Sequence, residues 1–232
     1  MQADPTSAPT QPDAEATTSP EAIHAAGLPR ELARQAIAYL DLGVPALLGW
    51  SPTEFPERIA PLAAVVPEDG ADPSTPGRLP FVLVLPDLDP RAAMPLTRQG
   101  EAAGYVDLNP VEPSAFLPVQ PQAIPGHAYL AIDVDTGADT LGVAPTDAAR
   151  VLAEAGRHPL TIAEGIAMLL LNPGLLRRAN AYQMLASRDG SRRIPSLWVT
   201  QSGAPRLGWC WAGNPHSWLG AASCARRAGA EA

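Results

Sequence analysis

The sequence predicts a single-domain α+β fold, with N-terminal helices and a mixed sheet that ends in a C-terminal antiparallel meander. Three observations carry that prediction. Helix starts with capping-box chemistry stand at Ser51-Pro52-Thr53-Glu54 and Thr161-Ile162-Ala163-Glu164. Two apolar runs, Phe81–Leu85 and His127–Val134, have the composition of central strands. Three short β-prone runs, Tyr182–Ser187, Ile194–Thr200 and Pro205–Trp211, follow one another across turn chemistry. Helices and strands do not alternate as a doubly wound fold requires.

The elements follow in chain order. Residues 1–22 hold four prolines, four acids and no base, so they cannot bury enough surface to offset the entropy of ordering. A disordered tail over 1–25 is expected, with one α+β domain over 26–226 and a disordered C-terminus over 227–232. Leu28 to Leu42 reads as a helix: Pro29 suits its first turn, Leu32, Ala36 and Leu40 share a stripe, and Gly43 stops it. Phe55, Ile59 and Leu62 continue the helical spacing after Ser51, and Pro61 ends or bends that helix. The proline-punctuated stretch 86–126 offers only short strands, near Gly104–Val106 and Phe116–Leu117. Thr146 to Ala155 is a helix closed by Gly156. The helix opened by Thr161 runs to Leu171, where Asn172-Pro173 stops it. Gly165 weakens it by about 1 kcal/mol relative to alanine, so packing must hold it.

Composition excludes several function classes. The chain has 232 residues and a net charge of −8, with no lysine, and two cysteines make no disulfide scaffold. The longest apolar run, Gly165–Leu171, is far short of the ~18 residues that a membrane span needs. Met1-Gln-Ala-Asp opens with neither a basic region nor an apolar stretch, so a cytoplasmic location is expected, with no membrane partner. Charge is uneven: Gly190 to Ala230 holds five arginines and no acid. That end suits a small anion; an acidic body without a broad basic face does not suit nucleic acid.

One segment stands out as a candidate site. Four of the five tryptophans, Trp198, Trp209, Trp211 and Trp218, fall within 198–218, beside Cys210, Asn214 and His216. The two-residue period of a strand sets Leu207, Trp209 and Trp211 on one face and Gly208 and Cys210 on the other. Rings in this arrangement serve either as core or as the wall of a pocket. Arg192 and Arg193, just before the Ile194 strand, supply guanidinium forks for an anion or solvate a hairpin end. Cys210 as nucleophile with His216 as base is the catalytic alternative. A metal site drawing on Cys210, His216 and Cys224 lacks a fourth ligand and the usual spacing, so no metal or cofactor is expected.

A second run, Asp133-Val134-Asp135-Thr136-Gly137-Ala138, is similar to the Asp-Thr-Gly-Ala loop of retroviral-type aspartic proteases. The supporting apolar-apolar-Gly segment of those enzymes is missing, and an ordinary strand-to-turn reading explains the same residues. The run also fails as a calcium loop, with Gly137 one position early and Ala144 where a bidentate glutamate belongs.

From Arg30 to Arg226 the chain resembles an uncharacterised actinobacterial family of unknown function. The resemblance rests on Leu42–Leu47, Leu79–Val84, Met94–Thr97, Asp133–Gly137 and Pro159–Gly165. It is strongest at Ser187-Arg188, Arg192–Pro195 and Leu207-Gly-Trp-Cys-Trp-Ala-Gly-Asn-Pro-His216. The resemblance implies a high-GC source and brings no activity. Family members resembling this chain often carry cysteine where Ala181 and Asp189 stand, which lowers the metal reading further.

The leading expectation is a protein that binds a small anionic or aromatic molecule in a C-terminal pocket of Arg192, Arg193, Trp209, Trp211, Asn214, His216 and Trp218. The alternatives are an enzyme using Cys210 or His216 in that pocket, and a structural or partner-binding protein with the tryptophans as core.

Overall fold

The computed structural model describes residues 23, 26–51, 53–68, 75–120 and 123–230. The expected N-terminal tail lies outside them except for Ile23, which is buried in the core. Helix α1 (Arg30–Asp41) leads to short helices α2 (Val44–Leu47) and α3 (Glu54–Ile59) and a 3₁₀ turn over Ala60–Val65. At α3 the capping box forms: the Ser51 amide donates to Glu54 Oε2 at 2.7 Å, and the Glu54 amide donates to Ser51 Oγ at 3.3 Å. Pro61 sits where the α-helix tightens to 3₁₀.

Strand β1 (Arg78–Val84) is followed by helix α4 (Pro90–Ala93) and by short strands β2 (Arg98–Gln99), β3 (Ala102–Ala103), β4 (Tyr105–Val106) and β5 (Leu117–Pro118). Strand β6 (Tyr129–Asp135), helix α5 (Pro145–Glu154), strand β7 (His158–Pro159) and helix α6 (Ile162–Leu171) come next. The chain ends in strands β8 (Ala181–Gln183), β9 (Ser187–Arg188), β10 (Arg193–Val199), β11 (Pro205–Trp211), β12 (Leu219–Ala221), β13 (Ser223–Cys224) and β14 (Arg226–Gly229). The fold is α+β, as the sequence predicts.

The first sheet is built on β6, which pairs antiparallel with β1 on one edge and with β13 and β14 on the other; β7 then pairs with β13. The outer edge of β1 is covered by α1. There the buried Gln35 side chain receives the Leu83 amide at 2.6 Å and donates to the Phe81 carbonyl at 3.0 Å, while the Tyr39 hydroxyl donates to the Leu83 carbonyl. Two helical side chains thus stand in for a neighbouring strand. Leu32, Ala36 and Tyr39 from α1 join Phe81–Leu85, Tyr129–Ile132 and Ile166–Leu171 in one continuous core.

The second sheet runs β12-β8-β10-β11-β4. Its centre is antiparallel, but β12 and β4 add to its ends in parallel, so the C-terminal sheet is more than a meander. The run 182–187 divides: β8 stays in this sheet, and β9 leaves it to pair with β5.

The C-terminus also departs from expectation. Instead of disorder from 227 onward, β14 is laddered to β6 through Gly229. Arg226-Arg227-Ala228-Gly229 has no local apolar alternation; pairing with β6 and a buried ion pair made by Arg227 hold it, and both are long-range.

Candidate functional site

The tryptophan segment forms two separate aromatic groups. On one face of the β10–β11 hairpin the rings of Trp209 and Trp211 meet edge to face at 5.0 Å, and the Arg193 guanidinium lies over both, at 5.0 and 5.4 Å. The Trp209 indole N–H donates to the Asn109 carbonyl, and Trp211 remains 43% exposed. On the other face Trp198 lies against Gly208, with the Arg206 guanidinium 4.9 Å from its ring centre; Trp218 meets Trp198 at 6.4 Å and His216 at 5.1 Å. Arg193 and His216 therefore attend different aromatic groups. Arg192 and Asn214 are exposed at the hairpin end.

Cys210 pairs in register with Ile194, and its polar neighbour is the Ser196 hydroxyl rather than His216. Burial pushes its thiol upward, against the usual need of a nucleophile. Cys224 is fully buried, and its thiol is pushed up to about 12, chiefly by burial. Among the described residues no three His, Cys, Asp or Glu side chains gather as metal ligands. Asp135, in the Asp-Thr-Gly run, faces Arg78 at 2.9 Å instead of a second catalytic carboxylate.

None of the predicted site residues lines either of the two large cavities, which share Pro118, Ile124 and Thr161. The first, about 720 Å³, has charged groups that already answer one another. Asp87 pairs with His127, Arg91 with Glu112, and Asp89 accepts the Arg91 amide at the start of α4.

The second cavity, about 540 Å³, is different in kind. Ala149 and Ala153 of α5, Leu185 between β8 and β9, and Val119 and Ile124 give it apolar walls. Three arginines enter, from Arg157 after α5, Arg188 in β9 and Arg227 in β14. Two of them have partners. Arg157 donates to Asp133 Oδ2 at 2.7 Å and to Ser223 Oγ at 2.8 Å. Arg227 donates to both oxygens of the buried Glu164, which also caps α6 through the Thr161 amide.

Arg188 is the exception. Among the described residues its side chain makes one hydrogen bond, a long 3.3 Å contact to the carbonyl of Ser187, and no carboxylate lies within ion-pair distance. The adjacent Asp189 is turned to Ser191, whose amide and hydroxyl donate to it at 2.9 and 2.6 Å. Burial pulls the Arg188 pKa down, only partly offset by the field of Asp189.

The model of one protein family matches residues 38–230, described as a family of unknown function, DUF5701. The chain belongs to this family. No curated protein and no solved structure matches it. The DUF5701 match contains every residue that lines both cavities. Within the DUF5701 domain, Arg188 could have been singled out only as an arginine in a hairpin-like turn, beside Ser187 in one of the recognisable stretches. The convergence of residues 118–120, 123–124, 149–159, 185–188 and 227 on one cavity has no local sequence signal.

Proposed function

We propose that this is a binding protein for a small anionic or aromatic molecule, acting in the cytoplasm and engaging neither nucleic acid nor membrane. The site is the 540 Å³ cavity beside β9 and α5, in place of the tryptophan hairpin. One observation carries this reading: an apolar-walled hollow within the size range of ligand pockets, with its polar groups entering from a few fixed elements. The net charge of −8 speaks against a nucleic-acid partner, and no helix of the described residues is long and apolar enough to cross a membrane.

The test is a ligand-observed NMR screen of small acids and aromatics against the wild type and Ala153→Phe. Ala153 lies exposed on α5 at the cavity wall, so phenylalanine there narrows the hollow without entering the core. Binding lost in this variant, with an unchanged melting temperature, supports the reading. Binding that persists in it places the ligand elsewhere.

A further inference from the structure

We infer that the ligand is a monocarboxylate with a slim apolar body, anchored through its carboxylate by the Arg188 guanidinium; this rests on the second cavity being the binding site. The argument begins with charge. Asp133 answers Arg157 and Glu164 answers Arg227, which leaves the Arg188 cation as the one in the cavity lining without a carboxylate among the described residues. An unpaired, half-buried cation is costly unless something neutralises it, and a bound anion does so.

The count also limits the anion. One uncompensated positive charge balances one negative charge; a phosphate dianion would leave the second poorly neutralised. Geometry points the same way, because a planar guanidinium presents parallel N–H donors that match the two oxygens of a carboxylate. Arg188 is free to do this, since its own backbone neighbour accepts only at 3.3 Å.

The rest of the cavity selects the body. The lining also holds the polar Gln120, His158 and Thr161, but Leu185, Ala149, Ala153, Val119 and Ile124 offer methyl and methylene surface and no charge. A hydrocarbon chain or a single ring laid there gains about 25 cal/mol for each Å² removed from water. A second charged group on the ligand would meet no partner on that wall. The backbone of Arg188 is held in place by strand pairing, Leu117 opposite Arg188 in the β5–β9 ladder, so the main chain that carries the guanidinium need not be ordered on binding.

The experiment is a calorimetric titration of full-length protein with hexanoate, benzoate and 3-phenylpropanoate, with their primary amides, and with inorganic phosphate. The carboxylates are expected to bind at least tenfold more tightly than the matched amides, because a charge-assisted pair is lost in the amide. Inorganic phosphate is expected to bind at least tenfold more weakly than 3-phenylpropanoate. Arg188→Gln should lower carboxylate affinity at least tenfold and leave amide affinity within twofold. Arg188→Lys keeps the charge but not the fork and should fall between, which also guards against a folding defect in the glutamine variant. Equal binding of acids and amides, or carboxylate binding unchanged in Arg188→Gln, overturns the carboxylate anchor while leaving the cavity as a ligand site. Phosphate binding as tightly as the acids overturns the monocarboxylate class. Probes that bind wild type and Ala153→Phe alike, or bind neither, overturn the cavity reading itself.

Discussion

Arg227 and Glu164 form a buried two-point ion pair, Nε to Oε1 at 2.5 Å and Nη2 to Oε2 at 2.9 Å, that ties the last strand to the first turn of α6. The carboxylate is fully enclosed, and the Tyr129 hydroxyl donates to it as well. Every lone-pair direction of Glu164 is therefore used, the condition under which a buried charge is tolerable. Arg227→Ala leaves that carboxylate without its cation and should cost about 3–5 kcal/mol in urea unfolding. The double variant Glu164→Gln/Arg227→Met keeps a side chain able to cap α6 and removes both charges. It should lose less than Arg227→Ala alone; an equal or larger loss would show that the pair itself is not what matters.

Gly137 and Gly220 are packed backbone to backbone. A Cβ on Gly220 would stand 2.1 Å from the Gly137 carbonyl oxygen, and one on Gly137 would stand 2.3 Å from the Ala221 carbonyl oxygen. Gly137 also has φ of 86°, in the region that favours glycine. The Asp-Thr-Gly run thus serves to lock the turn after β6 against β12. Gly220→Ala should destabilise by about 3 kcal/mol, at the upper end of overpacking costs. A melting temperature unchanged from wild type would contradict this contact.

Both thiols are held protonated by burial, so iodoacetamide should label neither Cys210 nor Cys224 appreciably in the native protein at pH 7, and both in urea. Rapid native labelling of Cys210 near pH 6 would revive a nucleophile. The same burial predicts alkaline sensitivity. The folded pKa of Cys224, about 12, is above the unfolded value of about 8.5, so its contribution is fully present below that lower value and is lost as pH rises towards 12. The buried phenols Tyr39, Tyr129 and Tyr182 are pushed up likewise by desolvation and add to the loss. Unfolding free energy should fall between about pH 9 and 11, and less steeply in Cys224→Ala.

Arg193 caps the indoles of Trp209 and Trp211, a contact worth about 0.5–2 kcal/mol. Arg193→Ala should lower stability by that order and change tryptophan emission, while carboxylate affinity stays within twofold. His216→Ala should behave the same way towards ligand. Loss of binding in either variant would return the site to the hairpin.

Much of the fold was legible because its signals are local. Capping boxes at Ser51 and Thr161 mark real helix starts, and the apolar runs at 81 and 127 become the two strands at the heart of the first sheet, the second beginning at Tyr129. Gly165 shows why packing must hold α6: the Met184 side chain lies where its Cβ would be, and the Tyr182 hydroxyl donates to its carbonyl at 2.9 Å. What was hidden depends on distance along the chain. Strand β14 exists through β6 and Glu164; the short strand near Gly104–Val106 is legible as β4, but its parallel pairing with β11, like that of β12 with β8, has no turn to announce it. The tryptophans drew notice because they are large and rare, yet the two large cavities lie elsewhere. Arg188 was missed because an unpaired cation can be recognised only once its surroundings are known.

The most direct measurement is a crystal structure of the protein soaked with 4-bromobenzoate, read by the anomalous signal of bromine. The account predicts one peak in the cavity beside Leu185 and Ala153, with the carboxylate in hydrogen-bond contact with the Arg188 guanidinium and the peak gone in Arg188→Gln. A peak on the Trp209–Trp211 face, or a cavity that stays without bromine at full occupancy elsewhere, would contradict it.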